Sequence, residues 1–209
     1  MVHQRVRIRF SKQGDLRLIS HRDLARTLDR LLRRCGLTLR MSEGFHPKPR
    51  INFPSALALG VEGLDEVVEV DLAEPMAPDQ LAAALSAQAP QGLTFGRVEI
   101  VPPDGRSAQA KLVCYWVDVP LEEMDRLNVE IARLMKKESH LIHRAGREAA
   151  IDLRSTLKDL RVEGGCLHMT LRVAREAAAR PRDVLELLGL IHEGQPDPPV
   201  ARTAVELWS

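Results

Sequence analysis

The 209-residue sequence contains no run of about 18 apolar residues, so no membrane-spanning helix is expected. Its first stretch, MVHQRVRIRF, alternates charged and apolar residues and lacks the apolar centre of a secretory signal. A cytoplasmic protein is expected. Cysteine is sparse: Cys35, Cys114 and Cys166 are odd in number and far apart, with no CxxC and no CxxxCxxC. That spacing argues against a disulfide framework, a zinc knuckle or a cysteine-held iron–sulfur cluster, and it favours buried thiols. There is also no P-loop, nucleophile elbow, GxGxxG or HExxH. No metal and no cofactor is expected.

Apolar residues make up 44% of the chain, enough for a packed core in one large domain or two small ones. The overall charge of +1 conceals a strong separation. Residues 1–50 hold thirteen Lys/Arg and four acids, a net +9, whereas residues 51–104 hold nine acids and one base, a net −8. A polyanion responds to such a local field, not to the total.

The pattern QRVRIRF (4–10) alternates with period two and reads as a half-buried strand. SHRDLARTLDRLLRRCG (20–36) reads as a helix, capped by Ser20 and stopped by Gly36. At about 100° per residue, Leu24, Leu28, Leu31, Leu32 and Cys35 share one face, and Arg22, Arg26, Arg30 and Arg33 share the other. Strands are expected at 37–41, 65–73 and 93–101, with a helix at 77–90. The order is β-α-β-β-α-β. It recurs as strand 110–119, helix 121–137, a weak strand at HLIHR, an ambiguous stretch 149–165, strand 166–174, helix 180–190 and strand 200–208. The expected fold is therefore α+β: two tandem ferredoxin-like domains, 1–103 and 109–209, joined by PPDGRSAQ. A single larger α+β domain is the alternative.

Three features carry potential chemistry. Guanidinium groups along the helix, Arg22, Arg26, Arg30, Arg33 and Arg34, offer fixed donors to phosphate oxygens. A solvated face is the plainer reading, with Asp29 pairing to Arg26 and Arg33. The loop MSEGFHPKPR (41–50) follows. Pro47 and Pro49 hold His46 and Lys48 extended, and Gly44 permits a positive φ. Phe45 belongs by type in the core, or else stacks on a base beside His46, Lys48 and Arg50. Finally, His21 and His46 are weak candidates for an acid–base pair, provided that the loop folds back on the helix end. The histidines of HLIH fall on opposite sides of a strand, which disfavours a shared metal. The acids Asp65, Glu66, Glu69 and Asp71 read as a polar strand face.

Residues 10–72 also carry a series of fixed spacings. K-x-G is Lys12 and Gly14, S-H-x-D is Ser20, His21 and Asp23, and Arg33-Arg34 follow. G-F-x-P-x-P is Gly44, Phe45, Pro47 and Pro49; a P-L-x-L-G-like turn holds Leu57, Leu59 and Gly60, and Glu66 lies in an acidic strand. On these motifs the segment closely resembles the N-terminal part of the radical-SAM-linked protein family, a bacterial domain of unknown function. It departs at Ala56-Leu57, where a Pro-Leu pair is usual, with Pro54 as the rigid point instead. The resemblance implies a protein encoded beside, or fused to, a radical S-adenosylmethionine enzyme. Without that enzyme's cluster-binding cysteines, this chain is similar to the stand-alone partner. The resemblance carries over no catalytic residue. A weaker likeness, of fold only, is to tandem ferredoxin-like RNA-processing proteins of CRISPR systems.

These observations favour a non-catalytic accessory of a radical SAM enzyme that binds RNA through the basic helix and the GFHPKP loop. A protein-docking module without nucleic acid and a ribonuclease-like enzyme using His21 and His46 are the alternatives.

Overall fold

The structure, a computed structural model, describes residues 4–102, 105–144, 149–174, 178–192 and 194–208. It is a mixed α+β protein that divides into two compact units, 1–110 with 207–209, and 111–206. Pro103 and Asp104 of the expected linker lie outside the described residues.

The first unit is built from β1 (Gln4–Lys12), α1 (His21–Arg34), β2 (Ile51–Asn52), β3 (Glu62–Leu72), α2 (Pro78–Gln88) and β4 (Leu93–Val101). Its strands lie in the order β4-β1-β3-β2, each pair antiparallel. Period-two alternation sends Val6, Ile8 and Phe10 of β1, and Val68, Val70 and Leu72 of β3, to the face that meets Leu24, Leu28, Leu31 and Leu32 of α1 and Leu81 and Leu85 of α2. Each fully buried leucine contributes about 1.5–3 kcal/mol, so the apolar stripe fixes how α1 lies. The two helices also meet just past the end of α1, where the Cys35 thiol donates to the Ala84 carbonyl at 3.3 Å.

The edge strand differs from the expected continuous strand at 37–41. Thr38 accepts from Ala73 at 2.8 Å, and Arg40 donates to Asp71 at 2.8 Å. Asp71 then donates to Arg50 at 3.0 Å, and β2 continues the pairing along β3. One edge is therefore made of two short pieces, 38–40 and 50–52. The residues between them leave the sheet as a hairpin, closed where Arg50 donates to Arg40 at 2.9 Å.

The second unit contains β5 (Ala110–Asp118), α3 (Met124–Met135), the pair β6 (Leu141–Ile142) and β7 (Ile151–Asp152), the short α4 (Leu153–Thr156), β8 (Leu157–Glu163), β9 (Cys166–Arg172), α5 (Pro181–Leu187) and β10 (Ala201–Leu207). Its sheet runs β10-β5-β9-β8. The ambiguous stretch resolves into β7, α4 and β8, and β8 rather than HLIHR pairs with β9. Leu141 and Ile142 pair only with β7, in a separate two-stranded ribbon.

Candidate nucleic-acid interface

Helix α1 begins at a working cap. Ser20 Oγ accepts from the Asp23 backbone N–H at 3.2 Å and donates to the Asp23 carboxylate at 2.7 Å. That hydroxyl bond, followed by the charges of Arg26 and Arg22, holds the Asp23 carboxyl below its ordinary range. The stripe of Arg22, Arg26, Arg30, Arg33 and Arg34 is exposed along its length. The pairing differs from the expected one. Asp29 pairs with Arg33 at 2.8 Å, while Arg26 pairs with Asp23 at 3.2 Å. Both pairs are local and wet, and Arg34 reaches the Gln88 carbonyl at 3.4 Å. Among the described residues, Arg30 takes no ion pair.

The hairpin after α1 is pinned at its neck. Ser42 N–H donates to the Lys48 carbonyl at 2.7 Å, and Lys48 N–H returns to Ser42 Oγ at 3.0 Å. Met41 and Pro49 form a bridge just below. At the tip, Gly44 has φ 124°, a value that favours glycine. Phe45 is 102% exposed, so it plugs no core. His46 and Lys48 are exposed beside it, while Arg40 and Arg50 are half-buried at the base. Residues 21–50 thus present eight Lys/Arg against three acids.

The carboxylates of β3 do not neutralise this surface. Register places them against β1 instead: Arg5 meets Asp71 at 2.9 Å, Arg7 meets Glu69 at 2.9 Å, and Arg9 meets Asp65 at 2.9 Å. Glu69 is 2% exposed and also accepts from the Ala108 N–H at 2.8 Å. The polar strand face expected for Glu69 and Asp71 is in fact a buried ionic ladder. Sequence reasoning missed it because the partners lie more than fifty residues apart.

A second group of residues was also missed. Lys12 and Glu66 face the core side of the sheet and are 0% and 2% exposed. Lys12 Nζ approaches the carbonyls of Ile19 at 3.4 Å and Arg17 at 3.5 Å, directly beneath the start of α1. A bulge in β3 sets Gly63 opposite Lys12, and the Glu66 side chain lies over Gly63. The Gly60 N–H donates to the Arg17 carbonyl at 2.8 Å, and the Gly14 N–H to Glu62 at 2.9 Å. His21 lies edge-on to Phe53 at 4.7 Å, and Phe53 to Phe10 at 6.4 Å. The motif residues Lys12, Gly14, His21, Gly60 and Glu66 therefore lie around the segment that leads into α1. Charged residues are almost never fully buried by type, so nothing in the sequence marks Lys12 as interior.

His21 packs against Phe53, and among the described residues no hydrogen bond or ring contact joins it to the exposed His46. Burial pushes the Cys35 thiol up, and the hydrogen bond to Asp118 does the same for Cys166, so neither thiol is activated. The second unit has an open cleft of about 330 Å³ lined by Asp118, Glu122, Glu123 and His192 among others. Among the described residues, no group of three or more His, Cys, Asp or Glu is placed to hold a metal. Nor is any helix among them long and apolar enough to cross a membrane.

The class is thus a mixed α+β protein with an exposed cationic helix and hairpin. More particularly, the chain belongs to a bacterial family described as an uncharacterized protein conserved in bacteria (DUF2344), whose profile matches residues 5–181. No curated protein matches the chain significantly. Among solved structures it is similar to a candidate glycine cleavage system transcriptional repressor, at 11% identity and TM-score 0.32, covering 89% of this chain and 88% of that one. It is also similar to an unknown protein from Galdieria sulphuraria, at 8% identity and TM-score 0.28, covering 90% and 88%.

Proposed function

We propose that this chain is a cytoplasmic, non-catalytic accessory protein that binds RNA through α1 and the 41–50 hairpin, and that it serves a radical S-adenosylmethionine enzyme. In this reading both halves are ferredoxin-like. The support for that is the strand order, β4-β1-β3-β2 in one unit and β10-β5-β9-β8 in the other. The radical-enzyme partner rests on the motif resemblance of residues 10–72.

One observation carries the RNA reading: Asp65, Glu69 and Asp71 of β3 pair with β1, and among the described residues the ion pairs of the α1 arginines are made only within their own helix. Wet local pairs are worth about 0–1 kcal/mol each and exchange readily for phosphate. The test is a filter-binding titration of tRNA and rRNA fragments at low salt, with and without Arg26→Glu plus Arg33→Glu. Binding that the double variant abolishes is expected. Absence of binding by the unmodified protein would overturn the reading.

The full exposure of Phe45 favours a second reading, insertion of the tip into an apolar pocket of the partner enzyme. Co-purification of the two chains that survives nuclease treatment is its expected signature.

A further inference from the structure

Resting on that RNA reading, we propose that Phe45 is a stacking platform for an unpaired base, so that the surface selects single-stranded RNA over duplex. The ring stands at 102% exposure on the tip of a hairpin pinned at its neck by hydrogen bonds. Two hydrogen bonds between Ser42 and Lys48, the Met41–Pro49 bridge and two prolines hold the tip before any ligand arrives. Pre-ordering removes much of the entropy lost on binding.

The surroundings choose the occupant. His46 and Lys48 are exposed on the same hairpin, Arg40 and Arg50 are half-buried at its base, and Glu43 is the single acid between residues 40 and 50. An exposed aromatic ring on a hairpin that also carries Lys48 and Arg50 matches a base and its phosphates. In a duplex both faces of each base are already covered by neighbours, so a protruding ring has nothing to stack on. An unpaired base offers a free face. The arginines of α1 hold the backbone of either form, whereas the tip discriminates between them.

The experiment is fluorescence anisotropy with two RNAs of equal length, one a single strand and one a perfect duplex, over a range of salt. The unmodified protein binds the single strand about tenfold or more tightly than the duplex. Phe45→Ala weakens single-strand binding about tenfold, leaves the duplex unchanged and leaves the salt dependence unchanged, because stacking releases no counterion. Phe45→Tyr restores affinity. Lys48→Ala weakens both and flattens the salt dependence. Phe45 makes no core contact, so the variants fold, as far-UV circular dichroism will check.

Equal affinity for duplex and single strand, or equal loss from both on Phe45→Ala, would overturn the stacking role and leave the RNA reading intact. Binding of neither RNA at low salt would overturn both and point to a protein pocket as the occupant of the tip.

Discussion

Two sets of arginines in the first fifty residues meet opposite fates. Arg5, Arg7 and Arg9 on β1 each face a carboxylate brought from β3, and two of those carboxylates are buried. Arg22, Arg26, Arg30, Arg33 and Arg34 on α1 stand in water, and their acidic partners, where they have them, lie three or four residues away on the same helix. Charge counting treats the two sets alike. The difference comes from register, which pairs Asp65, Glu69 and Asp71 of β3 with β1. The first set is structural; the second is available to a ligand.

The contrast breaks most sharply at Arg7. Arg7→Ala leaves Glu69 buried with, among the described residues, the Ala108 N–H as its remaining hydrogen-bond partner, and urea denaturation is expected to show a loss of about 3 kcal/mol. Next comes the foot of α1. A Cβ on Gly63 would lie 2.5 Å from Glu66 Cγ, so Gly63→Ala is expected to lose about 1–3 kcal/mol. Ser20→Ala removes the helix cap, for about 1 kcal/mol by thermal or urea unfolding.

The same substitution tests the local electrostatics. The depressed carboxyl of Asp23 contributes stability above its ordinary value of 3.8, and that contribution is lost as pH falls through the lower folded value. In Ser20→Ala the Asp23 titration, followed by NMR, moves back up toward 3.8. The smallest effect belongs to the exposed row. Arg30→Ala is expected to change stability by less than about 0.5 kcal/mol while weakening RNA binding. A large stability loss there would erase the distinction between the two sets.

What was legible in the sequence was local. The ends of α1, its Ser20 cap and its leucine stripe all follow from residues within one or two turns of each other, and they stand close to where they were expected. The strands at 93–101 and 166–172 show the same clarity. What was hidden depends on distant partners. LTLRM reads as a strand, but its edge pairing passes to residues 50–52 because 41–49 leave the sheet. Strand β8 was obscured by a register shift between Leu157 and Asp159 and by the helical turn just before it. Phe45 read as core by residue type, since nothing local shows that its hairpin projects into solvent. Lys12 and Glu66 were hidden for the converse reason, as charges that fold inward.

The most direct test is the salt dependence of RNA affinity for the unmodified protein and for Arg22→Glu plus Arg26→Glu plus Arg30→Glu. If about four phosphates are gripped, the logarithm of affinity falls against the logarithm of salt with a slope of about −3 for a single strand. The triple variant is expected to keep its fold while both affinity and slope collapse. An unmodified protein that shows no affinity at low salt, or a triple variant with the same slope, would contradict the assignment of α1 as the RNA-binding face.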